Sequence, residues 1–558
     1  MKRQFMNRNT VGQDLSAGLV LGIQSIPDGL ANGLLALINP IYGLYGYMLG
    51  TFSGAFFTSS AFMSVQATSA MALVVASVPQ VTQGSDPNRP LFTLSILTGL
   101  FMLAAGLLKL GSLVRFVPNA VMTGFINGVA VLIILGQLDD FTGYSSVGAN
   151  RVVRTIDLLR HLEQVHLPTL LVGILTIILI LTLEKTSLKA LGLVVAMIVA
   201  SLVVPLLGAE AVALVRDIAD IPGSLPRPVL PSLAVIPGLI IPALSLAFVG
   251  LMQGASITQS VPNPDGSYPD ASGDFVGQGV ANVVSGLFQG TAVGGSMSAT
   301  ALVVSAGARS RLANITAGIV MALSIVLFGR YVGAIAMPSL AGLLIVVGFR
   351  TLKPAQVRMV WRTGLVQQLV MVLTFVAALL IPLQFAVLLG VALAVLLFVF
   401  QQSNKVTVRA WEMGPGMYPV ESAPPAVVPA GRVTILIPYG SLFYAAAPVF
   451  EEQLPQITDS SRQAVVILVL RDKKDVGSTF LKVVARYVDA LHEQDSKLML
   501  TGVDPYVLEQ MERTGILRTI GRENVFPATD RVGEALLQAV DAAERWIATR
   551  PGDGSPHR

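Results

Sequence analysis

The first apolar run of the chain constrains its fold more than any other feature. From Asp14 through Pro27-Asp28 to Tyr42-Gly43-Leu44-Tyr45 it is long enough to cross a bilayer, yet a proline and an aspartate sit near its middle. An acid at that depth is costly, and proline withdraws a backbone donor, so the sequence predicts a first span broken around polar groups. Apolar segments recur down to about residue 405, which makes this an integral membrane protein. A span interrupted in this way is characteristic of transporters.

Composition agrees. With 558 residues, 53% of them hydrophobic and 13% charged, and a mean hydropathy of +0.69, the chain is too apolar to be one soluble domain, so its charges must be segregated. Residues 1–409 read as the membrane domain and 410–430 as a linker holding Gly414-Pro415-Gly416 and Pro424-Pro425. Residues 431–550 have soluble composition, with the cluster Arg471-Asp472-Lys473-Lys474-Asp475. The absence of cysteine excludes disulfides, thiolate zinc sites and thiol catalysis. The membrane part offers no histidine pair, metal cluster or activated nucleophile, so neither an enzyme nor a cofactor is expected. A net charge of +4, spread over loops, does not make a nucleic-acid surface.

At about 1.5 Å per residue and a hydrocarbon core about 30 Å thick, the membrane part divides into fourteen candidate segments between Leu15 and Phe400, seven in each half. With the N-terminus inside, Lys2, Arg3, Arg8, Lys109, Arg115, Lys185, Lys189, Arg309, Arg311, Arg350, Lys353, Arg358, Arg362, Lys405 and Arg409 are cytoplasmic. Arg89, Arg151, Arg154, Arg160, Arg216, Arg227 and Arg330 fall outside, a bias that fits the positive-inside rule and puts both termini in the cytoplasm.

Two segments are short, and they are the third of each seven: Met63 to Val78, with Val65-Gln66-Ala67-Thr68-Ser69-Ala70, and Met297 to Ala306, where Ser296-Met297-Ser298-Ala299-Thr300-Ala301 follows Gly294-Gly295. Matched short segments point to an inverted repeat with a binding site between half-helices, whose unpaired N–H groups and positive dipole ends attract an anion. Small residues here equally suit close helix packing. Asp28 is the one carboxylate placed well inside a span. It is a candidate to carry a coupling proton or, alternatively, to cap a half-helix after Pro27. Gln24, a turn earlier, and Gln253 in the eighth span can each donate to an anion or bond a neighbouring helix.

These residues resemble a known family. The run Asp14 to Tyr45, the fifth span from Pro118-Asn119-Ala120 to Gln137-Leu138, and Gly279 to Phe288 followed by Gly294 to Leu302 are similar to the SulP sulfate-permease family of anion transporters. The resemblance implies an all-α polytopic domain of fourteen transmembrane helices in a seven-plus-seven inverted repeat, with core and gate domains moving in an elevator-like way, followed by a small α/β STAS domain. It implies an anion site lined by Gln24, Gln66, Ala67, Thr68, Gln253, Ser298 and Ala299. It also implies a homodimer in a bacterial-type inner membrane, and a STAS domain open to a regulatory protein.

Several positions depart from the family pattern. The usual glutamine after the proline is Asp28, a common tyrosine is Asn32, the Gly-Pro of many third helices is Val65-Gln66, the eighth-helix acid is Gln253 and the tenth-helix arginine is Ala299. Without the acid and the arginine, sodium-coupled bicarbonate transport is disfavoured. With Asp28, proton symport is favoured. The substrate class is a small inorganic or organic anion: dicarboxylate, sulfate, bicarbonate or chloride. An anion channel, motor or exchanger, and a membrane-tethered STAS signalling protein, are the competing readings. In the tail, Val433 to Ile437 and Val465 to Leu470 read as strands, with helices from near Thr479 and Pro505. Asp475-Val476-Gly477-Ser478-Thr479 sits where antagonists of the STAS type carry a phosphorylatable serine, and Ser478 or Thr479 also suits a helix cap.

Overall fold

Residues Val11–Leu35 form one continuous helix, α1, with Pro27 inside it. The expected break is therefore absent, and Asp28, in mid-helix, does not cap a half-helix. Proline costs α1 a single N–H bond, and packing against the helices around it holds the two halves in line. Gly43 of the next helix lies so close to Gly29 that any Cβ there would stand 2.3 Å from the Gly29 carbonyl oxygen.

The computed structural model describes residues 10–550 apart from 83–85, 87, 113–116, 187, 189–190, 207–210, 219–222 and 414–418. Lys2, Arg3, Arg8, Arg115, Lys189 and Gly414-Pro415-Gly416 lie outside the described residues. After α1 come α2 (Pro40–Phe57), β1 (Ser64–Gln66), α3 (Ser69–Ala76), α4 (Pro79–Thr82), α5 (Asn88–Leu107), α6 (Asn119–Leu135), α7 (Leu138–Thr142), α8 (Arg151–Arg160), α9 (Leu167–Leu183) and α10 (Leu191–Leu206). Then follow α11 (Val215–Ile218), α12 (Ile236–Ser260), α13 (Ala271–Leu287), β2 (Gly294–Ser296), α14 (Met297–Ser305), α15 (Leu312–Val332), α16 (Met337–Thr351), α17 (Pro354–Thr363), α18 (Leu365–Leu380) and α19 (Leu383–Ser403).

Among the described residues, six helical stretches are long and apolar enough to span a bilayer by length and composition alone. Helices α9 and α18 and residues 191–205 are apolar but shorter. Helices α1 and α13 carry polar residues that are buried against protein, among them Asp14 and Asn32 in α1 and Asp274, Gln278 and Asn282 in α13. Chain contacts sort the helices into two groups. Helices α1, α2, α5, α12, α13 and α15 pack on one another, and α6, α7, α9, α10, α16 and α18 form the second group. The half-helix α3 touches α1 and α12 of the first group and α6 of the second.

The chain divides between residues 394 and 395 into two compact units. The C-terminal unit holds a six-stranded sheet of β3 (Thr407–Met413), β4 (Pro419–Ser422), β5 (Val433–Tyr439), β6 (Val465–Val469), β7 (Lys497–Val503) and β8 (Val525–Pro527), in the order β4-β3-β5-β6-β7-β8. Strands β5 to β8 run parallel, and β3 and β4 add antiparallel. Alternation along the strands builds two cores. Leu436, Val466, Leu468, Leu498 and Leu500 face α20 (Ala447–Glu452), α21 (Ser478–Glu493), α22 (Pro505–Arg513) and α23 (Ile516–Ile520), whereas Ile435, Val465, Ile467 and Met499 face α24 (Glu534–Ala548).

Two details differ from expectation. Part of the stretch read as linker is folded, because β3 and β4 pair within the sheet. Neither Ser478 nor Thr479 caps α21: its N-cap is Gly477, with no side-chain bond, and both hydroxyl residues are exposed.

Candidate anion-binding site

Strands β1 and β2 cross antiparallel, with Ser64 opposite Ser296, Val65 opposite Gly295 and Gln66 opposite Gly294. Helix α3 leaves one end of this ladder and α14 leaves the other. The ladder itself is two residue steps long, about 7 Å; α14 begins directly after Ser296, Ala67 and Thr68 lead from Gln66 into α3, and the two helices leave in opposite directions. The capping is matched as well. The Thr68 hydroxyl accepts from the Met71 N–H at 3.4 Å, and the Ser296 hydroxyl accepts from the Ala299 N–H at 3.4 Å. Each cap satisfies the third residue of its helix and leaves the first two donors, Ser69 and Ala70 in α3 and Met297 and Ser298 in α14, without an intrahelical acceptor.

Buried amides hold the ladder in place. Asn282 grips Val293 at both backbone groups, accepting from its N–H at 2.8 Å and donating to its carbonyl at 2.6 Å. Gln278 Oε1 accepts from the Gly295 N–H at 2.9 Å. Asn314 accepts from the Ser64 hydroxyl at 2.7 Å and donates to the carbonyls of Phe62 and Met63. Strand β2 also needs bare backbone, since a Cβ at Gly295 would stand 2.8 Å from Gly254 Cα of α12.

Around the ladder the expected residues assemble unevenly. Thr68 donates to Gln253 Oε1 at 2.8 Å, which leaves the Gln253 Nε2 hydrogens for another acceptor. Gln66, 2% exposed, donates to Ser25 at 2.9 Å, joining β1 to α1. Gln24 Oε1 is buried with no partner among the described residues. Ala67 and Ala299 are buried, while Ser298 is exposed and 3.3 Å from the Ser296 hydroxyl. Asp28 is four residues after Gln24, so both lie on one face of α1. Among the described residues its carboxylate has no hydrogen bond or ion pair. Its backbone carbonyl accepts from Asn32, whose amide also donates to the Tyr47 hydroxyl at 2.7 Å.

Sequence reading missed Ser25, Gln278, Asn282 and Asn314, and it placed Ser296 in the short segment without giving it a role. Ser296 alone left a usable signal, three residues before Ala299 as Thr68 is three before Met71.

Residues 11–374 match the Sulfate permease family. This chain belongs to the sulfate permease family. Residues 425–532 of the permease match the STAS domain. It is 24% identical over 525 residues to YvdB of Bacillus subtilis (strain 168), covering 93% of this chain and 97% of that protein. The bicarbonate transporter BicA of Synechocystis sp. (strain ATCC 27184 / PCC 6803 / Kazusa) is 23% identical over 552 residues, 96% of this chain and 95% of its own. The structure of the murine Solute Carrier 26 family member A9 anion transporter, in the inward-facing state, superimposes with a TM-score of 0.85 at 18% identity, covering 97% of this chain and 93% of that one. As a member of this family the protein is a membrane transporter and not an enzyme.

Proposed function

We propose that this permease is a secondary active transporter that takes up a small anion together with protons, with the anion held where α3 and α14 meet and the proton carried by Asp28. Membership of the sulfate permease family supports anion transport, with sulfate and bicarbonate among the candidates. One observation carries the site: two capped half-helices begin at opposite ends of one short ladder, each with two N–H donors that have no intrahelical acceptor, beside the free Nε2 of Gln253. Dipoles and amides bind an anion without a fixed cation. Gln24, Gln66, Ala67, Thr68, Gln253, Ser298 and Ala299 line it in this reading.

Asp28 supplies the coupling. Protonated, it repels the incoming anion less, so proton and substrate favour each other's binding. The helices around β1 and β2 then move as a body against the α6–α10 and α16–α18 group, in the fourteen-span elevator arrangement, as a homodimer in the inner membrane with both termini cytoplasmic.

Proteoliposome uptake across sulfate, bicarbonate, chloride and small dicarboxylates, with and without an inward proton gradient, tests the reading. At least one anion should be concentrated only with the gradient, and Ala67→Trp or Ala299→Trp should abolish its uptake in folded protein. Undiminished transport with either tryptophan would remove the site from this place.

A further inference from the structure

Between α16 and α18 the chain makes a helix of a different kind. Helix α17 buries Val360 against α6 and α18 and exposes Met359 and Trp361, with Arg358 and Arg362 one turn apart beside them. A short basic amphipathic helix with an exposed tryptophan, joining two apolar helices, is built to lie in the bilayer interface.

A cavity of about 420 Å³, open on one side, runs along this helix. Leu352, Pro354, Val357 and Trp361 make its lining almost wholly apolar, and its polar groups come from Asn127, Arg358 and Arg362. Asn127 has its oxygen engaged by the Lys353 N–H at 3.0 Å and its amide by the Thr123 carbonyl at 2.7 Å, so it offers a ligand little. Arg358 and Arg362 are the polar groups left to meet a ligand. Residues 350–363 hold Arg350, Lys353, Arg358 and Arg362 and no acid. Arg350 is paired with Glu184. Arg358 and Arg362 have no ion pair or hydrogen bond from their side chains among the described residues, and α6 and α18, packed against α17, contain no charged residue. The charge here is positive and uncompensated.

We propose that this cavity is a binding site for one anionic phospholipid, its phosphate held by Arg358 and Arg362 and its upper acyl chain laid against Leu352, Val357 and Trp361. A bare anion gains nothing from that apolar lining. A zwitterionic lipid brings its own cation to the arginines. An anionic lipid matches both halves, and the volume lies within the usual range for a small-molecule site, roughly 300–1,000 Å³. The site is separate from the anion pathway of the preceding section, and either proposal stands if the other fails.

Native mass spectrometry of the full chain, released from an equimolar mixture of phosphatidylglycerol and phosphatidylcholine, reads it directly. One phosphatidylglycerol per chain should be retained in preference to phosphatidylcholine by on the order of tenfold, as expected for two arginines at a membrane surface. Arg358→Gln with Arg362→Gln should erase the preference. Val357→Trp, which fills the cavity and keeps both charges, should erase retention, and it serves as the test should the double variant fail to fold. Equal retention of both lipids, retention that survives Val357→Trp, or displacement of the lipid by inorganic phosphate would overturn the proposal.

Discussion

Asp14 and Asp28 lie on one helix and have opposite surroundings. Asp14, fully buried, accepts from the N–H groups of Arg309 and Ser310 and from the Ser310 hydroxyl at 2.7–2.9 Å. It ties α1 to the turn before α15. Asp274 is committed in the same way, to the Ser60 N–H, the Ser60 hydroxyl and the Thr258 hydroxyl. A carboxylate with three or more donors is part of the scaffold, whereas Asp28 has none among the described residues, which is why the proton is proposed for it. The buried amides make a second residue-scale prediction. Gln278→Leu removes the side-chain acceptor of the Gly295 N–H and leaves that donor buried, at a cost of about 1–3 kcal/mol. Because Gln278 positions β2 and is not among the residues proposed to line the anion, the variant should raise KM more than it lowers kcat. An unchanged KM would show that β2 holds its place without this bond.

At the scale of elements, the two short half-helices were legible because an eight- or nine-residue helix among long spans is visible as a gap in the apolar pattern. Their caps were partly legible, Thr68 more than Ser296. The crossing of β1 with β2 was not, since three-residue strands leave no periodicity and their partners, Gln278, Asn282 and Asn314, are polar residues on helices that otherwise read as ordinary spans. Proline misled the reading of α1, because glycine contacts with α2 hold the helix together through Pro27. One loop carries its own pH dependence. The Val147 N–H, with the Tyr144 hydroxyl and His161, holds the Asp157 carboxyl below its ordinary range. A depressed value means that the ionised form favours the folded loop. The stabilisation is therefore full above the ordinary carboxylate range and fades as pH falls through the lowered value. Hydrogen exchange at Val147 should stay slow down into that acidic window and become fast at neutral pH in Asp157→Ala, which has no side-chain acceptor; exchange identical in the two proteins would contradict it.

At the scale of the whole molecule, the division into an apolar and a soluble part was clear from composition, while its position was not. Strand β3 begins at Thr407 and pairs with β5 through Trp411, so a cut after Arg409 would sever it. Truncation after Asn404 leaves α19 whole and removes the sheet as one piece. That membrane unit should stay folded and bind the transported anion with affinity within a few-fold of the full chain, the C-terminal unit modulating turnover only. A folded truncation that binds nothing would place part of the site in the tail. The coupled cycle itself is tested most directly by following proton entry and anion uptake together in the same proteoliposomes, in wild type and Asp28→Asn. Wild type should bring in protons in fixed proportion to anion and concentrate it along the proton gradient. Asp28→Asn should bind the anion at high pH as well as wild type does at low pH, yet move no protons with it and fail to concentrate it. Wild-type uptake indifferent to the gradient, or proton entry that persists in Asp28→Asn, would contradict the account.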